Sequence, residues 1–436
     1  MGGFSDDTTR PVEKTPPKAP LELVLRGALP GDRTLIRLGH GSRVIGRASD
    51  CDSELAFSEI SRRHAEITHE GSVPVLRDLD STNGVYIDGH RIRCCALRQG
   101  SMVRLGAWLG VVEALAATEL ACWCEEIAPG LIGGVELHRT LAPLRGVAHS
   151  DLPIVLVGAT GTGKERFAAA IHHFSQRPGP LHAVNCAALP SALAESELFG
   201  HERGAFTGAE QRTLGHLRAA DGGTLFLDEL QDLSLSLQAK VLRAIELRQV
   251  TPLGDTRSFG FDARIVVASQ WPLEELVASG QFREDLAMRL SGLTIEIPPL
   301  RQRRADIPSL YAHFLEEHSS GVVPTVSTQL YERLCVQHWP GNVRQLELLA
   351  RRMLALRGCT SLSVNELPEQ YALPNQIPDA EPIFESRDEG DYHALTLALA
   401  RTGGNLKSAA QLANISRARA YRLLAKRSTG GEGTPE

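Results

Sequence analysis

The sequence predicts a multidomain fold: an all-β sandwich, then an α/β domain built on a P-loop and a parallel sheet, then an all-α helix-turn-helix. Three observations carry this. Short apolar runs separated by Gly, Asn and Asp turns fill residues 21–113, the pattern of a small sandwich. Strand-like runs alternate with helical segments over 131–373, the pattern of a parallel sheet with crossover helices. A short basic helix pair then follows at 391–428. A length of 436 residues agrees with roughly three domains at about 150 residues each.

Composition narrows the class. With 42% hydrophobic and 22% charged residues the chain has the make-up of a soluble globular protein. Its longest apolar stretch, GAWLGVVEALAA (106–117), is shorter than the ~18 to 20 residues that a bilayer span needs. The opening MGGFSDDTTRPVEKTPPKAP has no apolar core behind its charges, so no secretory signal is expected. The expectation is therefore a cytoplasmic protein with no membrane partner. Eight cysteines are scattered without two CxxC units, which argues against both a zinc site and a disulfide framework; Cys122 and Cys124 come nearest to a pair. A net charge of -6 excludes a chain that coats nucleic acid along its length, though not a local basic patch.

The elements follow in order. Residues 1–20, rich in Pro, Thr and Lys, read as a disordered lead. The runs LELVL, TLIRL, HAEI, VPVLRDL and GVYI supply sandwich strands over 21–113. Residues 114–130 read as a helical or irregular linker. The runs LPIVLV, GTLFLD and ARIVVAS supply parallel strands, and 374–390 is a second linker rich in Pro and acidic residues.

LPIVLV runs directly into GATGTGKE and then into the amphipathic ERFAAAIHHF. Strand, Gly-rich turn, lysine and helix make a P-loop. Backbone N–H groups of Gly158, Ala159, Thr160, Gly161, Thr162 and Gly163 cradle phosphates, and Lys164 neutralises the β and γ oxygens. Glu165 stands where the general motif has Ser or Thr, so the usual hydroxyl ligand for magnesium is missing. In GGTLFLDEL the strand delivers Asp228 and Glu229 to its C-terminal edge, where doubly wound sheets bind ligands. Asp228 is placed to hold Mg2+, directly or through water, and Glu229 to orient or activate an attacking water.

Six blocks then occur in order: GATGTGKE, VNCAALPSALAESELFGHERGAFTGA, GGTLFLDEL, QFREDLAMRL, PPLRQRRADIP and WPGNVRQL. On these, residues 131–373 resemble the AAA+ ATPase domain of bacterial enhancer-binding proteins, the activators of sigma-54 RNA polymerase, with its small helical lid. The resemblance implies ATP and Mg2+ as cofactors, the sigma-54 RNA polymerase holoenzyme as partner, and a homo-oligomeric ring, with six subunits expected and seven left open. It implies that Gly204, Ala205, Phe206, Thr207, Gly208 and Ala209 tip a loop that grips the sigma factor. Arg283 and Arg289 match two arginines that reach into a neighbour's site, and Arg344 a lid arginine that contacts nucleotide in its own subunit. Asn185 matches a switch asparagine that holds Glu229 out of line. There are two departures: Ala159-Thr160 stands where the family usually has Glu-Ser, and Gln270 where it has Asn. Gln270 keeps the amide at one methylene more reach, so slower hydrolysis is expected.

From Arg401 to Arg427 the chain carries seven Lys or Arg and no Asp or Glu. GGNLKSAAQLANISRARAYRLLAKR gives two short helices with Ser416 as the second N-cap, and it resembles the Fis-type DNA-binding end of the same activators. Arg417, Arg419 and Arg422 are the candidates for contact with upstream promoter DNA. At the other end, VIGRASDCDSELAFSEISRRHAEI and LRDLDSTNGVYIDGHRI resemble a forkhead-associated (FHA) domain over 21–113. That resemblance implies a phosphothreonine site at Arg47, Ser61, Arg62, Thr82 and Asn83, with a phosphothreonine protein or a Ser/Thr kinase as partner. Two other functions remain open: an AAA+ remodeller of other proteins, and a non-hydrolysing scaffold that binds DNA and phosphopeptides.

Overall fold

Residues 20–26, 33–39, 41–71, 73–116, 119, 124–319, 321–356, 360–372 and 406 are described by a computed structural model of the chain. They form two compact units that divide between Leu120 and Ala121, with Asp88–His90 grouped with the second. The lead up to residue 19, the 374–390 linker and all but one residue of the helix-turn-helix segment lie outside the described residues.

The first unit is a sandwich of two sheets. One has the order Arg33–Arg37, Leu21–Arg26, Trp108–Ala114, Met102–Leu105, Val85–Ile87, His90–Ile92. The other has the order Ser53–Glu54, Arg43–Gly46, Ala65–Glu70, Val73–Asp78, Cys94–Ala96. Leu23, Leu25, Ile36, Val103 and Val112 of the first sheet meet Ile45, Ala65, Ile67 and Leu76 of the second in one core. Each large aliphatic side chain buried there contributes about 1.5 to 3 kcal/mol. The apolar stretch at 106–117 is explained by Trp108–Ala114, which pairs on both edges, with Leu21–Arg26 and with Met102–Leu105. Gly110 permits that approach, since a Cβ there would sit 2.2 Å from the Val24 carbonyl oxygen.

The second unit is built on a five-stranded parallel sheet in the order Leu181–Asn185, Thr224–Asp228, Arg264–Ser269, Ile154–Val157, Leu293–Glu296. Alternate residues face two different cores, which is why the strands read as continuous apolar runs. Val155, Leu225, Leu227, Ile265 and Val267 enter one core. Ile154, Leu156, Phe226 and Val266 enter the other, against Phe167, Ala168 and Ile171 of the helix Lys164–Ser175. Register brings the C-terminal ends to one edge: Asn185 lies opposite Asp228, Asp228 opposite Ala268, and Val157 opposite Ser269.

The expected linker at 114–130 needs correction over its second half. Glu125–Ala128 is a strand, paired antiparallel with Leu131–Gly133 through a turn in which Gly130 has φ 72. Ala128 and Leu131 anchor it in the core that also holds the helix Lys164–Ser175, a contact that local periodicity does not encode. Beyond the sheet, the helices Ile307–His318, Thr328–Cys335 and Asn342–Leu356 form the helical part. Ser327 caps the second of these, its side chain accepting from Leu330 N. Among the described residues no helix is long and apolar enough to cross a membrane.

Candidate functional site

The loop 158–163 leaves the strand Ile154–Val157 and enters the helix Lys164–Ser175. Gly161 and Gly163 take φ 77 and 99, left-handed values that glycine adopts at little cost. Thr162 is buried, and its hydroxyl donates to the Ala159 carbonyl at 2.8 Å. Lys164 is buried too; its Nζ donates to the Gly158 carbonyl at 3.1 Å and lies 3.3 Å from Glu229 Oε1. Glu165 is exposed on the first turn of the helix.

Asp228 is half-buried, and its Oδ1 is enclosed without a hydrogen-bond partner among the described residues. Burial pushes its carboxyl above the usual range, Lys164 opposes that, and Glu229 and Glu165 add to it. An enclosed carboxylate oxygen without a hydrogen-bond partner among the described residues fits a hard divalent cation such as Mg2+. Glu229 has φ 51, a left-handed backbone that costs a non-glycine residue roughly 1 kcal/mol or more, and its N–H donates to the Ala268 carbonyl at 3.0 Å. Its Oε2 accepts from Gln231 Nε2 at 2.5 Å. Asn185 is exposed, and its Oδ1 accepts from Ala187 N at 3.0 Å as a local cap. Gln270 is exposed at the strand end, beyond Ser269, whose hydroxyl donates to the Trp271 carbonyl at 2.8 Å. The Arg344 side chain is exposed while its N–H donates to the Gly161 carbonyl at 3.2 Å.

Gly204 to Ala209 form a self-closed loop. Gly204 N donates to Ala209 O at 2.8 Å and Ala209 N to Phe206 O at 3.0 Å. Gly204 and Gly208 have φ 81 and 102 with open space around them, and Thr207 is exposed. Phe206 is half-buried against His201, ring centroids 5.0 Å apart. Arg283 and Arg289 lie at the helix Glu284–Leu290. Arg283 is held in a two-pronged pair by Asp285, at 3.0 and 2.6 Å, whereas Arg289 is exposed.

In the first unit, three loops converge on Ser61. Arg47 N donates to Ser61 O at 2.9 Å, and Thr82 N donates to Ser61 Oγ at 3.1 Å. Asn83 Nδ2 reaches the Glu59 carbonyl at 2.7 Å. His64 is buried; its Nδ1 accepts from Ser61 N at 3.1 Å, so its proton sits on Nε2 and faces the Gly84 carbonyl at 3.3 Å. Arg47 and Arg62 are exposed, with no ion pair among the described residues.

Residues 133–296 match the sigma-54 interaction domain, 43–106 the FHA domain and 301–381 the AAA+ ATPase lid domain. The transcriptional regulatory protein ZraR of Klebsiella oxytoca is 41% identical over 324 residues, which cover 71% of this chain and 72% of that one. The chain belongs to the family of sigma-54-dependent transcriptional regulators. GlrR of Escherichia coli (strain K12) is 42% identical over 292 residues, so the chain matches 65% of the length of that relative. The crystal structure of NtrX from Brucella abortus in complex with ADP aligns at TM-score 0.51 and 32% identity, covering 68% of each chain.

Within this family frame, Arg417, Arg419 and Arg422 lie outside the described residues. Two residues beside the P-loop were not singled out from the sequence, although both lie in the quoted blocks. Asn342 is buried at φ 50; its Nδ2 donates to the Thr160 carbonyl and its Oδ1 accepts from Leu300 N, each at 2.9 Å. Arg303 is buried, donates to the Thr162 carbonyl at 3.1 Å and lies 3.6 Å from Asp306 Oδ2. Burial pushes the Arg303 pKa down and Asp306 opposes it.

Proposed function

We propose that this chain hydrolyses ATP in a cytoplasmic homo-oligomeric ring, a hexamer, and uses the cycle to remodel sigma-54 RNA polymerase at promoters. The observation that carries the reading is the convergence of Lys164, Asp228 and Glu229 at one sheet edge, with Lys164 Nζ 3.3 Å from Glu229 Oε1 and Asp228 Oδ1 enclosed without a hydrogen-bond partner among the described residues. Lys164 and the N–H groups of the 158–163 loop bind the ATP phosphates. Asp228 holds Mg2+, which neutralises charge on those phosphates when bound. Glu229 orients the attacking water. Arg283 and Arg289 act on the site of the neighbouring subunit, a contribution worth roughly 10³ to 10⁵ in rate for arginine fingers. Arg283 must first leave Asp285 to do so.

The Gly204 to Ala209 loop, with its half-buried Phe206 and exposed Thr207, is the surface offered to sigma-54. Arg417, Arg419 and Arg422 contact upstream promoter DNA. Arg47, Ser61, Arg62, Thr82 and Asn83 take a phosphothreonine of a partner protein or Ser/Thr kinase, the two exposed arginines supplying charge and Ser61 a hydroxyl.

The test is ATP turnover by the purified chain as a function of its concentration, together with open-complex formation on a sigma-54 promoter. We expect turnover that rises more than linearly with concentration and activation that Thr207→Ala abolishes. A chain that binds ATP without turnover supports the scaffold reading instead, and unchanged activation by Thr207→Ala sinks the remodelling of sigma-54.

A further inference from the structure

We infer that Gln231 is a positioning residue that parks Glu229 away from its working orientation. The inference rests on Glu229 being the group that orients water. Both oxygens of that carboxylate have donors: Oε1 faces Lys164 Nζ at 3.3 Å, and Oε2 accepts from Gln231 Nε2 at 2.5 Å. Asn185, which the family resemblance makes the switch, accepts from Ala187 N at 3.0 Å through its Oδ1, and its Nδ2 makes no hydrogen bond to Glu229 among the described residues. The neutral amide that holds the carboxylate therefore comes from within Glu229's own turn, not from the neighbouring strand.

Local backbone makes the tether possible. Glu229 is wound left-handed at φ 51 and opens the single turn Leu230–Asp232, with Asp232 N donating to Glu229 O at 3.0 Å. That turn folds Gln231 back so that its half-buried side chain spans two residues to Oε2. The two donors differ in fate. Lys164 is drawn to the phosphates when ATP enters, which frees Oε1, while Gln231 has no charge that a phosphate would attract. Gln231 then remains as the tether to be broken before Glu229 can turn to water.

The test uses the full chain with Gln231→Met, which keeps length and bulk and removes the amide, beside Asn185→Ala. We expect Gln231→Met to raise kcat of ATP hydrolysis about tenfold, in the range of one hydrogen bond to a charged acceptor, with KM for ATP and the melting temperature unchanged. General damage to the turn lowers kcat, so a rise in kcat alone is a signature that a purely structural role does not produce. An unchanged or reduced kcat, or the same rise on Asn185→Ala but not on Gln231→Met, overturns the inference. A second arm does not depend on turnover. In chain labelled with 15N-glutamine and free of nucleotide, the Gln231 side-chain amide signal, assigned by its loss in Gln231→Met, shifts upfield in Glu229→Ala. No shift there overturns the tether even in a preparation without hydrolysis, whereas absence of turnover in the unmodified chain counts against the ATPase reading alone.

Discussion

At the P-loop the cation is buried and already has a carboxylate 3.3 Å away, whereas on the sandwich loops Arg47 and Arg62 stand exposed with no ion pair among the described residues. Both places suit phosphate, by opposite means. Lys164 must exchange one anion for another, so its net gain on binding is the difference between Glu229 and a polyphosphate in a low-dielectric setting. Arg47 and Arg62 exchange only water, but they do so in a high-dielectric, exposed setting where the attraction to phosphate is weaker and is screened by salt. The contrast separates a site that converts binding into rearrangement from one that only binds.

The contrast breaks most visibly at Lys164. Lys164→Ala removes the phosphate cation and leaves the Glu229 carboxylate without its ammonium partner and unopposed beside the phosphates, so ATP affinity by calorimetry falls roughly a hundred- to a thousandfold, about 3 to 4 kcal/mol. Phosphopeptide affinity of the same variant stays unchanged. Next comes Arg47→Ala, for which phosphothreonine-peptide affinity falls about ten- to a hundredfold while ATP turnover does not move. If raising the salt weakens peptide binding no more than ATP binding, the proposed difference between the two sites is wrong.

The smallest effect is a pH dependence at His64. Burial pushes its imidazole pKa below the ordinary 6.5, against the Gly84 carbonyl and the Asp78 charge, which pull it up. A folded value below the unfolded one means that the neutral ring stabilises the fold fully above pH 6.5, and that this is lost as pH falls from 6.5 through the lowered value. A proton on Nδ1 also ends its acceptance from Ser61 N, worth about 1 kcal/mol. Phosphopeptide binding followed from pH 7.5 to 5.5 should weaken in step with a falling protection factor of the Ser61 amide, corrected for the pH dependence of intrinsic exchange, while ATP binding provides the control.

What the sequence made legible was local. The run LPIVLV into GATGTGKE, and the runs GTLFLD and ARIVVAS, carry both the strand signal and its apolar reason, because each strand is buried on two faces. Ser61 and Thr82 could be grouped by motif, and the structure places Thr82 N 3.1 Å from Ser61 Oγ. Hidden from the sequence were contacts made over long separations. Asn342 reaches Thr160 across 182 positions, and Gly134 N reaches Asp306 Oδ1 across 172. No periodicity records such pairs. Gln231 was missed for the opposite reason: it lies two residues from Glu229, and only the left-handed turn at Glu229 folds it back.

Gly161 and Gly341 have a consequence of a different kind. A Cβ on Gly161 would stand 2.3 Å from the Gly341 carbonyl oxygen, so the turn before the helix Asn342–Leu356 is seated directly on the phosphate loop. Added to the bonds from Asn342 and Arg303, this gives sheet and lid a common wall rather than a hinge with slack. Heat should therefore melt them in one cooperative step, and nucleotide held at that wall should raise the transition of both together.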